Sequence, residues 1–309
     1  MPPLVSIGIP CYNAERWIAG AAQSALDQSW PEKEVIVVDD GSTDGTLREL
    51  EKFGNAIRVE RAGHAGANHA RNRILAAARG EWLQYLDADD YLRPGKIERQ
   101  FAEAGAPDAA DIIYSPVLLE IWRDGKPLPP EPEELDAQTD VCTQFLTWQL
   151  PQTSGALWRT EVLRGIGGWD EDPVQLCDEH DCYFRALKAE RRFVFAPTPN
   201  AVYRIWSGQT RSHGNQRPVI LSRTALCEGL RDWLAARNAW TAAHRDAMGR
   251  SLLEMARKLA SEDIEFAAQY QAAHKAEIRL SGPAAPKAYQ LVYRALGFRA
   301  AERVARALR

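Results

Sequence analysis

Apolar and polar positions alternate from Leu4 to Ile9 and stop at Pro10, the period-two pattern of a strand. From Ala14 to Leu26 the period lengthens, so that Trp17, Ile18, Ala21, Ala22, Ala25 and Leu26 share one helical face. Glu34 to Asp39 predicts a second strand, and Ser42 or Thr43 the cap of a helix carrying Leu47, Leu50 and Phe53. Ile57 to Glu60 predicts a short third strand. A loop through Gly63 and Gly66 then leads into a helix ending near Gly80, and Glu81 to Leu86 predicts the fourth strand. The order βαβαβαβ implies an α/β fold: a mostly parallel sheet flanked by helices.

Beyond Pro94 the pattern predicts a further helix and strands near Ile112 to Ser115 and Ala156 to Trp158. Pro127, Pro129, Pro130 and Pro132, mixed with acids, predict an exposed loop. A helix is expected over Asp178 to Ala189, and strands over Arg192 to Phe195 and Ala201 to Ile205. From about Pro218 the period is helical almost to the end, broken only at Gly282-Pro283. The expected organisation is a catalytic α/β domain over 1–215 and a helical C-terminal extension over 216–309.

Two of the strands end in carboxylates. Tyr85-Leu86 runs into Asp87-Ala88-Asp89-Asp90, and Val37-Val38 into Asp39-Asp40-Gly41-Ser42. In open α/β sheets ligands bind outside the carboxyl ends of the strands. Carboxylates gathered there repel one another and call for a cation or a hydrogen-bonding ligand. Asp87 and Asp89 fall on one side of an extended backbone, where Mg²⁺ or Mn²⁺ takes them together with phosphate oxygens; the plain alternative is a solvated turn. Asp40 is a candidate acceptor for a pyrimidine imide N–H, or a turn residue. Arg71 is a candidate grip on a diphosphate, or a surface arginine. Gly167-Gly168-Trp169-Asp170-Glu171 predicts a close-approach loop, with Gly168 and Trp169 as candidate acceptor contacts. Asp178-Glu179-His180-Asp181 opens the next helix, whose dipole favours an ionised base; the alternative is helix capping.

Charge and composition narrow the setting. A net charge of −4 speaks against non-specific nucleic-acid binding. Lys287, Arg294, Arg299, Arg303, Arg306 and Arg309 against Glu302 alone make the tail about +5 and the remainder about −9. Leu291, Val292, Ala295, Leu296, Phe298, Val304 and Leu308 recur among them at helical spacing. Such a segment predicts contact with an anionic membrane surface, or a packed helix with a solvated basic face. Five cysteines at irregular spacing imply a reducing cytoplasmic setting, with peripheral placement on the inner membrane face if the tail binds lipid. Cys177 and Cys182 lack zinc-ligand spacing, and no apolar run approaches the roughly 20 residues of a membrane span.

The ordered set of motifs resembles the family 2 glycosyltransferases of the GT-A fold. The pieces are Val5-Ser6-Ile7 through Pro10-Cys11-Tyr12-Asn13-Ala14-Glu15, then Val37 through Asp44, Ala70-Arg71-Asn72, Leu86 through Asp90, Gly167 through Glu171, and the acidic start at Asp178. The resemblance implies sugar transfer from a nucleotide-diphosphate donor, most often UDP, to a glycan or lipid-linked hydroxyl, with inversion, in surface polysaccharide or lipopolysaccharide assembly. It places Pro10, Tyr12, Asn13, Glu15 and Asp40 around the nucleobase and ribose, Arg71 near the base or diphosphate, and Asp87 and Ala88 near the ribose. It gives Asp89, with Asp87, to a divalent metal, and puts the base in the acidic pair at the helix start.

Two departures stand out. The family's usual Glu-Asp is Asp178-Glu179 here, so the aligned base is Glu179, with Asp178 and Asp181 in contention. Where many relatives carry a histidine near the metal this chain has Trp206; His213 is a candidate substitute. A non-catalytic sugar-nucleotide-binding or scaffolding member of the fold is the competing reading. A nucleotidyltransferase fits less well, because Pro10-Cys11-Tyr12-Asn13 is no Gly-rich basic loop.

Overall fold

The computed structural model describes residues 1–105, 109–135, 138–172, 176–206 and 216–308. The chain begins with β1 (Val5–Cys11), α1 (Ile18–Leu26), β2 (Lys33–Asp39), α2 (Thr46–Glu51), β3 (Arg58–Arg61), α3 (Ala67–Ala77) and β4 (Trp82–Tyr85). It continues through β5 (Tyr91–Leu92), α4 (Lys96–Ala104), β6 (Ile112–Tyr114), β7 (Val117–Arg123), β8 (Lys126–Pro127), β9 (Glu131–Pro132), α5 (Val141–Leu146), β10 (Ala156–Arg159), α6 (Thr160–Gly165), α7 (Asp178–Lys188), β11 (Phe193–Phe195) and β12 (Ala201–Ile205). Then come α8 (Gln216–Ala235), α9 (Ala242–Glu262), α10 (Ile264–Ala273), α11 (Lys287–Leu296) and α12 (Phe298–Ala307). The chain divides into two units, Met1–Ala137 with Leu150–Gly208, and Gln138–Gln149 with Gln209–Arg309.

The first unit is built on a sheet of seven strands among the described residues, in the order β11-β6-β10-β4-β1-β2-β3. All neighbours pair in parallel except β10, which runs antiparallel to both β4 and β6. β1 is buried along its whole length, as expected of a central parallel strand covered on both faces. The chain builds outward from β1 through β2 and β3, then crosses to β4 on the other side. That reversal puts a ligand-binding switch point at the carboxyl ends of β1 and β4. α3 presses directly on β1: a Cβ added at Gly8 would meet Ile74 Cγ2 at 2.2 Å. A second sheet joins β5, β12, β7 and β8, with β9 on β7. The proline-rich stretch, expected as loop, thus supplies two short strands along β7. Pro127 and Pro132 sit in edge positions, where a missing N–H costs no ladder bond.

The second unit corrects the expectation of one break in the helical tail. Thr241 caps α9, its hydroxyl accepting from His244 N at 3.2 Å while His244 Nδ1 accepts from Thr241 N at 3.3 Å. Asp263 ends α9 and caps α10, accepting from Glu265 N and Phe266 N. The expected apolar stripe of the tail divides. Tyr289, Phe298 and Ala301 are buried, and Glu302 is paired with Arg257 at 2.8 Å. Leu291, Leu296, Val304 and Leu308 stay exposed, Leu308 by 78%. Pro286, Tyr289, Val292, Ala301, Val304 and Leu308 line an apolar cavity of about 250 Å³ between α11 and α12. Among the described residues no helix is long and apolar enough to cross a membrane.

Gly8→Ala is expected to destabilise the protein by about 1–3 kcal/mol, the usual cost of overpacking. Gly20→Ala, in α1 with open space around the added methyl, is expected to stabilise it by up to about 1 kcal/mol. Urea denaturation followed by circular dichroism measures both. Equal stabilities would mean that α3 does not press on β1.

Candidate active site

Two loops about thirty residues apart in sequence are stitched together at the rim of the sheet. Asn13 N donates to Ser42 Oγ at 2.9 Å, and Asn13 Oδ1 accepts from Thr43 N at 2.8 Å. Glu15 accepts from Gly45 N at 3.0 Å and pairs with Arg48 at 2.6 Å. Asp44 accepts from Glu15 N at 3.1 Å and Thr46 N at 3.0 Å. Ser42 and Thr43, expected to cap α2, are thus engaged with Asn13, and Gly45 stands at the cap. Pro10 is buried within β1, opposite Val38.

Asp40 is buried to 3% exposure. Its two oxygens accept from Ala65 N at 2.9 Å and Gly66 N at 2.7 Å, so it shapes the loop that starts α3. In that loop His64 takes a left-handed φ of 56° and sets its ring 4.2 Å from the exposed ring of Tyr12.

Arg71 lies at the centre of the polar network. Its buried guanidinium donates to Asp87 Oδ1 at 2.8 Å and Asn68 Oδ1 at 2.9 Å, and lies 3.5 Å from Asp178 Oδ2. Burial works against its charge, but Asp87 and Asp178 outweigh that and hold its pKa above the ordinary value. The guanidinium stacks over the Trp169 ring, 4.6 Å from the centroid. Trp169, expected at an acceptor surface, is buried to 3% exposure and meets Tyr85 edge-on at 5.2 Å. It supports Arg71 from beneath instead. Gly168, at φ 71°, has no room for a side chain: a Cβ would lie 2.5 Å from Asn72 Oδ1.

The turn after β4 holds Asp87, Ala88, Asp89 and Asp90. Burial raises the pKa of Asp89, and it raises that of Asp90 strongly, with Asp89 and Asp87 adding to the latter. β12 grips this turn. Arg204 N donates to Asp90 Oδ1 at 2.8 Å, Arg204 Nη1 to Asp89 O at 3.0 Å, and Trp206 Nε1 to Asp89 Oδ2 at 3.0 Å.

At the start of α7, Cys177 occupies the cap position, and Asp178, expected as a possible cap, faces Arg71 from the first turn. Glu179 follows, its pKa raised to about 7 by burial; Arg71 opposes that shift, and Asp178 and Asp87 reinforce it. Asp181 is buried in a 2.6 Å ion pair with Arg185, so its carboxylate is already engaged. His213 lies outside the described residues.

The structure thus joins Arg71, Asp87, Asp178 and Glu179 in one electrostatic cluster beside the acidic turn. The sequence placed Asn72 in the Ala70-Arg71-Asn72 motif without a role, and gave no part to Asn68 and His69. Asn72 Nδ2 donates to Trp169 O at 2.8 Å and Glu171 Oε1 at 2.7 Å, and Asn72 Oδ1 accepts from Trp169 N at 2.8 Å. Asn68 Nδ2 donates to Asp170 O at 2.6 Å, and His69 lies 3.2 Å from Glu171. The available signal was the i, i+4 spacing of Asn68 and Asn72, which sets two amides on one helical face.

The model described as Glycosyl transferase family 2 matches residues 6–157. Over that segment, just under half of its length, the chain is similar to this family. It is similar to the Bacillus subtilis (strain 168) protein TuaG, named for teichuronic acid biosynthesis, at 44% identity over 102 residues, 32% of this chain and 40% of TuaG. The chain therefore spans well under two thirds of that relative's length. Two solved structures share the fold of this chain. S. aureus TarS 1-349 in complex with UDP-GlcNAc aligns with TM-score 0.66 and 20% identity over 98% of this chain and 92% of that one. The mannosyltransferase PcManGT from Pyrobaculum calidifontis, in complex with GDP-Man and Mn2+, aligns with TM-score 0.61 and 19% identity over 100% and 87%.

Asn72→Ala is expected to destabilise the protein by about 1–3 kcal/mol, the cost of leaving buried partners unmade. It should also speed hydrogen exchange at the Trp169 amide. An unchanged exchange rate there would mean that the amide clamp does not hold the loop.

Proposed function

We propose that this chain transfers a sugar from a nucleotide-diphosphate donor, with UDP the favoured nucleotide, to a hydroxyl of a glycan or lipid-linked acceptor, with inversion, in surface polysaccharide assembly. One observation carries the reading: Glu179, at the second position of α7, has a pKa raised to about 7 and stands in the same cluster as Arg71 and Asp87. A base whose pKa lies near the working pH is well placed to take the proton of an attacking hydroxyl. The name of TuaG and the donor complexes of TarS and PcManGT support the substrate classes.

In this reading the Tyr12–His64 ring pair borders the nucleobase on one side, and Asp40, already fixed by two N–H groups, offers its remaining lone pairs to the ring N–H. Asn13 and Glu15 hold the ribose loop in shape. Arg71 holds Asp87 in place for the ribose through their 2.8 Å ion pair and limits how far the pKa of Glu179 can rise. Asp89 and Asp87 fit a divalent cation, Mn²⁺ or Mg²⁺. The carboxylates are crowded, and Asp90 Oδ2 is buried without a partner among the described residues. When bound, such a cation supplies charge neutralisation for the leaving diphosphate.

Glu179→Gln is expected to lower kcat by about 10²-fold or more with donor binding little changed. In the wild type, kcat/KM should fall about tenfold per pH unit below pH 7, where Glu179 is protonated. Stability carries the opposite sign. A carboxyl raised from 4.5 to about 7 on folding favours the protonated state, so stability declines as pH rises across that window. The Gln variant should therefore gain Tm near pH 8 and little near pH 4. A larger rate loss in Asp181→Asn would move the role to Asp181.

We further propose that the outer face of α11 and α12 rests on an anionic membrane, which would bring the enzyme to a lipid-linked acceptor. Leu291, Leu296, Val304 and Leu308 are exposed there, and among the described residues Lys287, Arg294, Arg303 and Arg306 have no carboxylate partner. The charge complements an acidic headgroup surface, and the apolar cavity suits acyl chains. The full chain is expected to float with phosphatidylglycerol-containing vesicles and not with pure phosphatidylcholine. Arg294→Glu with Arg303→Glu should weaken that binding at least tenfold, from about 1 kcal/mol per basic residue. No flotation, or a concentration-dependent dimer abolished by Leu308→Glu, would overturn membrane docking.

A further inference from the structure

Trp206 stands at the end of β12, and its indole N–H donates to Asp89 Oδ2 at 3.0 Å. A tryptophan cannot ligate a cation through that nitrogen, because indole is a donor only. It can orient a carboxylate that does. Among the described residues no other side chain donates to this carboxylate, so the indole N–H is the side-chain contact that orients it.

The indole is itself held in place. Its ring lies 5.6 Å from that of Trp17, and Trp17 meets Trp122 edge-on at 5.2 Å. The guanidinium of Arg16 lies 4.3 Å from the Trp17 centroid, 5.3 Å from that of Trp122 and 5.9 Å from that of Trp206. Arg204, two residues earlier on the same strand, stacks 4.9 Å from Trp17 and donates to the Asp89 carbonyl. Stacked aromatic and guanidinium planes restrict the rotamers open to Trp206. Yet the residue is 38% exposed, so core filling alone does not account for this arrangement. The cage instead directs one N–H at one carboxylate oxygen.

We propose that Trp206 is a positioning residue for the cation site: its N–H fixes the Asp89 carboxylate in the orientation that binds Mn²⁺ or Mg²⁺. Hydrogen-bond partners of ligating groups typically govern metal affinity by 10–100-fold. The inference rests on the assignment of Asp89 as a metal ligand. It predicts that removing the N–H, while keeping an aromatic ring in the cage, costs metal affinity and leaves the nucleotide contacts alone.

The test is Mn²⁺ binding to the full chain with saturating UDP, followed by electron paramagnetic resonance of free Mn²⁺, with no sugar transfer involved. Trp206→Phe is expected to raise the Mn²⁺ dissociation constant about tenfold or more. UDP affinity in chelator should match the wild type. Replacing Trp206 by benzothienylalanine, which keeps the bicyclic shape and lacks the N–H, should reproduce the loss and separates it from any packing defect. Unchanged or tighter Mn²⁺ binding in both variants, with the wild type binding and Asp89→Ala not, would overturn the role of Trp206 alone. A wild type that binds no Mn²⁺ would overturn the metal assignment, and the proposal with it.

Discussion

The site depends on one buried positive charge. Arg71 is held between Asp87, in the turn after β4, and Asp178, at the start of α7, segments about ninety residues apart in sequence. None of the three is cheap to bury alone. Breaking such a pair typically costs about 3–5 kcal/mol, because it leaves an uncompensated charge. The backbone geometry of both segments therefore has to satisfy the same guanidinium. Trp169 closes the arrangement from beneath, with its ring under the charge, and Asn72 fixes the backbone of Trp169. Glu179 owes its surroundings to that constraint: it follows Asp178 on the same helical turn.

Two opposing pressures act on Glu179. Burial pushes its proton affinity up, and the guanidinium of Arg71 pulls it down. With burial alone the group would be neutral at physiological pH. Asp181, two residues on along the same helix, is instead in direct contact with Arg185 at 2.6 Å.

Local patterns in the sequence carried the first half of the fold. β1 to β4 follow from hydrophobic period and turn residues, and the acidic strand ends mark the rim. The hidden features depend on distant partners. Asn72 reads as a helix-surface amide until the loop ninety-seven residues later arrives to bind it. Trp169 reads as a loop aromatic for the same reason. Ser42 and Thr43 are good helix caps by type, but Asn13 engages them first. The break between α8 and α9 rests on a Thr241–His244 capping pair that helical periodicity does not register. Trp206 was visible as an anomaly, but its contact with Asp89 was not.

β10 has a consequence for how the chain acquires this shape. It is the one strand of the main sheet that runs against the others, and it sits between β4 and β6. β1 to β4 are joined by short crossovers and can associate from local contacts, the arrangement that folds fastest. β4 keeps one edge open until residues 156–159 have been made and have threaded in beside it. An unpaired central strand edge is a template for pairing with other chains. During synthesis the nascent first half of the sheet therefore carries an adhesive edge for more than seventy residues of elongation, and the strand that finally covers it comes from the later half of the same unit.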